Sequence, residues 1–283
     1  MAGTLYIVGT PIGNLEDVTM RALRVLREVD LIAAEDTRRT ARLLQHYSIA
    51  TPATSLHEHN EHGKSPHLIR KLQEGVSIAL VSDAGMPLVS DPGGTLVREA
   101  RKAGIRVEVV PGPSAVTAML AGAGISGPFA FLGFPPPGGR ARAAWLDSLG
   151  QQTSTIPAVF FEAPHRVERT MGDIASKLGN RPIVAGRELT KFHESLVEQP
   201  IMDWLAEAAR GSSTRGEHVI VVLPPVDSVH EPANLPSDDK LADEIGQMVE
   251  NSGMRPREAA KALSAKYNIS ASDIYTLYTK HNK

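Results

Sequence analysis

Hydrophobic and polar positions in the first half of the chain follow two alternating patterns. Short apolar, β-rich runs predict strands: "TLYIVG" (residues 4–9), "LIAAED" (31–36), "VSIALV" (76–81) and "RVEVV" (106–110). Between them the apolar spacing becomes helical. Residues 17–29 carry Val18, Ala22, Val25, Leu26 and Val29 on one stripe. Residues 95–103 predict a second helix with Gly104 as its stop, and Ser114 stands as N-cap to an alanine-rich third. Strands alternating with helices predict parallel pairing with crossover helices.

The pattern returns less cleanly further on. "FAFLGF" (129–134), "AVFFE" (158–162), "PIVAGREL" (182–189) and "EHVIVVLP" (217–224) predict strands, and "RVERTMGDIASKLG" (166–179) a helix. Residues 224–236 form a proline-punctuated linker, and the rest is helical, with loops at "NSGMRP" and "YNISASD". The expected architecture is α/β: an N-terminal α/β domain over 1–119 and a C-terminal α/β domain over 120–225, with a small three-helix or helix-turn-helix-like module over 237–283. A length of 283 residues fits two domains with an appendage.

Composition narrows the setting. The chain has no cysteine, which excludes disulfides, thiolate metal sites and cysteine nucleophiles and fits a reducing compartment. No secretory signal is visible at the N-terminus. The longest apolar stretch, around residues 115–125, is far short of the ~20 residues a membrane helix needs, so a cytoplasmic protein without membrane association is expected. The net charge of −2 argues against binding nucleic acid with the whole surface. Basic charge is local instead: residues 254–283 hold six Lys/Arg against two acids.

Candidate chemistry collects where the N-terminal strands end. Gly9-Thr10-Pro11, Glu35-Asp36-Thr37-Arg38, Ser82-Asp83-Ala84-Gly85 and Pro111-Gly112-Pro113-Ser114 each follow a strand, and open parallel sheets bind ligands beyond the carboxyl ends of their strands. No G-x-G-x-x-G follows a strand, and Gly63-Lys64-Ser65 lacks the first glycine of a phosphate loop, Glu58 standing there instead. Nucleotide hydrolysis and dinucleotide binding are therefore poorly supported. Carboxylates at Asp83 and Asp91 suit a ligand bearing hydroxyls and positive charge. Asp91, just before Pro92-Gly93-Gly94, equally reads as a cap for the helix at Thr95.

The motifs "LYIVGTPIGN", "AEDTR", "SDAGMPLVSDPG", "VVPGPSA", "EAPHR" and "GRELTK", in this order over about residues 4–223, resemble the tetrapyrrole methylase superfamily. They are most similar to its branch that modifies small-subunit ribosomal RNA. The resemblance implies S-adenosylmethionine as cofactor, bound in a cleft between two α/β domains. It further implies 2′-O-methylation of a cytidine in 16S rRNA of the 30S subunit, by a homodimer. Carried onto this chain, the donor site comprises Asp83, Gly85 and Met86, then Ser114 and Ala115, with Thr10, Pro11, Pro111 and Gly112 on neighbouring strand ends. Phe161, Glu162, Ala163 and His218 come from the second domain. Two rivals are a methylase of a tetrapyrrole precursor on the same fold and a non-catalytic ribosome-binding protein. Basic residues in a tail and a flexible lip suit a large substrate better than a macrocycle, and intact donor loops disfavour a non-catalytic role.

A ribose hydroxyl must lose its proton as it attacks, so a base within about 3 Å, or reached through one water, is needed. Asp36, Glu188 and Lys191 are the candidates for the catalytic centre, with Glu35 and His165 behind them. Against this, Glu35 and Asp36 have Arg38 and Arg39 as ready partners, and Glu188 has Arg187. Arg38, Arg166 and Lys191 are expected on the RNA side, where phosphate contacts position a strand without reading it. The lip "FPPPGGRARAAW" (134–145) adds Arg140 and Arg142. His57, His59 and His62 are assigned to RNA contact or loop stabilisation, and no metal is expected.

Overall fold

Five parallel strands make the first sheet: β1 (Thr4–Val8), β2 (Leu31–Ala34), β3 (Ala53–Ser55), β4 (Ile78–Val81) and β5 (Arg106–Val110), in the order β3-β2-β4-β1-β5. The structure, a computed structural model, describes residues 2–211, 214–225, 238–267 and 270–281. Both faces of this sheet are covered. Ala79 and Val81 of β4 pack with Leu23 and Leu26 of α1 (Met20–Glu28) and Leu43 of α2 (Thr37–His46). Ile78 and Leu80 point the other way, to Leu68 and Leu72 of α3 (Glu61–Gln73) and Leu96 of α4 (Gly94–Lys102). Burial on both faces is why the central strands β2 and β4 read as apolar runs. Each fully buried Leu or Ile contributes roughly 1.5–3 kcal/mol.

Local chemistry sets the helix ends. The stripe expected over residues 17–29 divides, because Thr19 takes the N-cap of α1 and its hydroxyl accepts from the Ala22 N–H at 3.0 Å. The start of α4 corrects an expectation. Asp91 does not cap it; Gly93 holds the N-cap position at φ +116°. The carboxylate of Glu61, from the first turn of α3, instead accepts from the N–H groups of Thr95 (2.5 Å) and Leu96 (3.3 Å). Ser114 is the N-cap of α5 (Ala115–Gly122), but its side chain makes no capping hydrogen bond.

The second sheet has the order β6-β7-β10-β8-β9 and is mixed. Its strands are β6 (Ala130–Phe131), β7 (Ala158–Glu162), β8 (Pro182–Arg187), β9 (Ser195–Pro200) and β10 (His218–Val222). Only β6 and β7 pair in parallel; β7 with β10, β10 with β8 and β8 with β9 are antiparallel. The turn over 188–194 is too short for a crossover, so β8 and β9 close as a hairpin. One face packs on α6 (Gly139–Gln152), α7 (Val167–Leu178) and α8 (Ile201–Ala209), with Phe160 fully buried. The other takes Val116, Met119 and Leu120 of α5, so residues 119 and 120 both lie within a helix packed on the second sheet.

The expected flexible lip is largely α6. Arg142 lies at the end of its first turn and is buried, donating to Asp173 (2.7 Å), Thr170 Oγ1 (3.0 Å) and the Pro136 carbonyl (2.9 Å). It ties the lip to α7, and its guanidinium has no face left for RNA; this corrects the RNA-binding assignment.

Residues 227–283 form a separate compact unit. Its helices, α9 (Asp238–Ser252), α10 (Pro256–Tyr267) and α11 (Ala271–His281), enclose Ile245, Ala259, Ala260, Leu263 and Ile274. The Arg257 guanidinium lies 5.5 Å from the Tyr275 ring centre. From residue 226 onward the expected linker lies outside the described residues, as does Lys283.

Candidate active site

From β1 the chain crosses to β2 on one side, and from β4 it crosses to β5 on the other. Crossovers leaving in opposite directions open a crevice beyond the carboxyl ends of β4 and β1. The two strand-end loops are fastened across it. Thr10 and Gly85 exchange backbone hydrogen bonds of 2.9 and 3.1 Å, and the buried Thr10 hydroxyl donates to the Ser82 carbonyl at 3.2 Å. Gly85 sits at φ +78°, which favours glycine. A Cβ on Gly112 would lie 2.8 Å from Gly9 Cα, so these two glycines let one loop touch another.

These loops and those of the second sheet line a cavity of about 480 Å³, within the usual range for ligand sites. Among the residues expected to bind the donor, Asp83, Gly85, Met86, Ser114 and Ala115 line it from the first sheet. Phe161, Glu162, Ala163 and His218 line it from the second. Thr10, Pro11, Pro111 and Gly112 do not reach it; Thr10 and Gly112 shape the loops that do. Sequence reasoning missed Ile12, Arg39, Phe134, Leu189 and Glu217 as lining residues. Most are neighbours of quoted motif residues, and adjacency was the available signal.

The second-sheet wall is aromatic and tightly held. Phe161 meets Phe131 and Phe134 with ring centres 5.0 and 5.4 Å away. The buried Glu162 carboxylate accepts from Thr170 Oγ1 (2.5 Å), pairs with Arg166 (3.2 Å) and accepts from the Ala163 N–H (2.9 Å). Arg166 also donates to the Pro135 carbonyl, so it fixes this wall. His218 is buried, its Nδ1 has no partner among the described residues, and burial pushes its pKa down, keeping it neutral.

The first-sheet wall carries three carboxylates: Glu35, Asp83 and Asp91. Asp83 accepts from the Asp36 N–H at 3.0 Å and pairs with Arg39 at 3.4 Å, while its own N–H donates to Glu35 at 3.2 Å. Burial raises the pKa of Glu35 and of Asp83. Asp91 rises furthest, to about 7, through burial and then the Glu35 charge, against a hydrogen bond from Ser82. Among the described residues it has no ion-pair partner.

Of the expected catalytic residues, Glu35 lines the cavity, whereas Asp36, His165, Glu188 and Lys191 do not. The Asp36 carboxylate is the N-cap of α2 and pairs with Arg38 at 2.7 Å, whose hydrogen bonds hold it well below the usual carboxylate range. Glu188 and Lys191 are partners at 2.9 Å, and Lys191 also reaches Glu217 at 2.9 Å. Burial opposes both charges, but the Glu217 N–H and the Lys191 ammonium lower the pKa of Glu188, and the two carboxylates raise that of Lys191. Arg38 and Arg140 are exposed. In the histidine loop, the His57 N–H donates to Asn60 Oδ1 at 2.9 Å.

Two mixed or parallel α/β sheets sharing a cavity at their strand ends match a known family. The chain belongs to the tetrapyrrole (corrin/porphyrin) methylases, whose family model matches residues 4–204. More particularly, it is 47% identical over 227 residues to a Pasteurella multocida protein named ribosomal RNA small subunit methyltransferase I, covering 78% of this chain and 79% of that one. A Halalkalibacterium halodurans protein of the same name is 42% identical over 98% of this chain and 94% of its own. In three dimensions the chain is similar to a uroporphyrin-III C-methyltransferase from Thermus thermophilus complexed with S-adenyl homocysteine. The TM-score is 0.57 and the identity 19%, over 78% of this chain and 97% of that one, a likeness of fold.

Proposed function

We propose that this protein transfers a methyl group from S-adenosylmethionine to the ribose 2′-oxygen of a cytidine in 16S rRNA. The observation that carries the reading is the cavity: three carboxylates beside an aromatic wall, within the span shared with relatives named for ribosomal RNA methylation. Its residues fit the donor. Asp83 offers an acceptor for a cationic or hydroxyl group, Phe161, Met86 and Ile12 offer apolar surface, and among the described residues the buried His218 Nδ1 lacks the partner a polar ligand atom supplies. When bound, S-adenosylmethionine supplies an electrophilic methyl group on a sulfonium.

The chain's own contribution is placement and exclusion of water. The Thr10–Gly85 bridge fixes the Asp83 loop, and Glu162 fixes the Ala163 loop, before anything binds. Holding nucleophile and methyl carbon in line in a dry cleft lowers a barrier whose opposite charges cancel as the bond forms. Arg38 and Arg140, both exposed, serve the RNA backbone. The substrate is the 30S subunit, the enzyme a cytoplasmic homodimer, and residues 237–283 assist substrate engagement. Incubating the protein with labelled donor and 30S subunits, naked 16S rRNA or a porphyrin precursor tests this. Label in RNA is expected; label in the porphyrin alone, or in nothing, refutes it.

A further inference from the structure

We propose that Asp91 is the general base that takes the proton from the attacking ribose hydroxyl. The inference rests on the reading of the cavity as the methyl-transfer site. A base must reach the cavity, be free of a cationic partner and remain available to accept a proton at working pH. Asp36, Glu188 and Lys191 fail the first condition and are each held in an ion pair. Asp83 lines the cavity but is held by Arg39 and the Asp36 N–H, and Glu35 accepts the Asp83 N–H. Glu162 is bound by Arg166 and Thr170.

Asp91 meets all three conditions. The cap role that its Pro-Gly-Gly context offers is filled by Glu61, which takes both the Thr95 and Leu96 amides and leaves the Asp91 carboxylate to the cavity. The turn that delivers it is strained: Leu88 and Ser90 sit at φ +73° and +68°, in the left-handed region that residues other than glycine rarely adopt. Glu35 and Asp83 act on it as like charges; Arg39 is engaged by Asp83, and Glu162, Glu217 and His218 line the cavity from the second sheet.

In the step itself the ribose oxygen forms its bond to the methyl carbon as the carbon–sulfur bond breaks, the bonding pair going to sulfur. The hydroxyl proton goes to an Asp91 oxygen and from there to water. A raised folded pKa means Asp91 is protonated and inactive below about 7 and ionised above it. Activity therefore rises with pH through that value and levels off beyond it.

The test compares wild type, Asp91→Asn and Asp91→Glu on 30S subunits, with donor affinity by calorimetry and folding by thermal melts. For Asp91→Asn, kcat is expected to fall about 10²–10⁴-fold with donor Kd held within about threefold. The rise of rate with pH disappears, and Asp91→Glu restores part of the rate and the pH dependence. The amide is isosteric and uncharged, so the melting temperature should not fall. An active wild type beside an Asp91→Asn enzyme with equal kcat overturns the inference alone. So does a rate loss matched by lost donor affinity, or a wild-type rate flat from pH 5 to 9. A wild type that labels no RNA overturns the underlying reading and the inference with it.

Discussion

Replacing Asp83 by Asn removes one charge from the cavity wall and almost nothing else. The amide oxygen keeps the position that accepts the Asp36 N–H, at 3.0 Å in the native protein. What the fold loses is the pairing with Arg39, at 3.4 Å, whose arginine side chain is 62% exposed. Such pairs are worth about 0–1 kcal/mol. Burial raises the native pKa of Asp83, so removing the charge relieves a cost of the opposite sign. Net stability should move by less than about 1 kcal/mol. Donor binding should respond differently. A hydrogen bond to a charged group contributes about 1.5–3 kcal/mol, which predicts a donor Kd about 10- to 150-fold weaker. Calorimetric titration with S-adenosylmethionine or its demethylated product, beside a thermal melt, separates the two effects. A folded Asp83→Asn protein with unchanged donor affinity would refute the assignment of Asp83 to the donor.

Three further outcomes are expected. Arg142→Ala strips a buried guanidinium from Asp173, Thr170 and the Pro136 carbonyl and should cost about 3 kcal/mol in a melt; an unchanged melt with weaker RNA binding would return Arg142 to the RNA side. Phe192 is 96% exposed on the 188–194 turn beside Lys191, and stacking of an unpaired RNA base on its ring is expected. Phe192→Ala should raise the RNA KM by about 5- to 100-fold and leave donor affinity and melting unchanged, and an unaltered KM removes it from the RNA path. Deleting residues 237–283 should flatten the salt dependence of RNA binding by roughly 0.7–0.9 log units per log salt for each phosphate that is no longer neutralised, with donor affinity unaltered; an identical slope would mean that the charges of this unit are only solvated.

The central strands β2 and β4 were legible because both their faces are buried, with Ile32, Ile78 and Leu80 in short apolar runs, whereas the partly exposed three-residue edge strand β3 was not read. The helix α2, with Arg38, Arg39 and Arg42 among ten residues, hid its Leu43 and Leu44 stripe behind charge. In α6 an arginine occupies a core position that a hydropathy pattern assigns to solvent. The hairpin β8–β9 depended on a tight turn with Glu188 and Thr190 in left-handed conformations, which neither residue type advertises. The site divides likewise. Motif residues such as Asp83, Ser114 and Phe161, far apart in sequence, line one cavity. The pairings of Asp36 and Lys191 were local and foreseeable in kind. The release of Asp91 was not, because the cap that replaces it comes from Glu61, thirty-four positions upstream of Thr95.

The measurement closest to the central claim is mass spectrometry of the nucleosides of 16S rRNA after 30S subunits are incubated with the protein and a donor carrying a deuterated methyl group. Deuterated 2′-O-methylcytidine in stoichiometric amount is the predicted result. Label on a base, label in another ribonucleoside, or rRNA left unlabelled by a folded, donor-binding protein would contradict it.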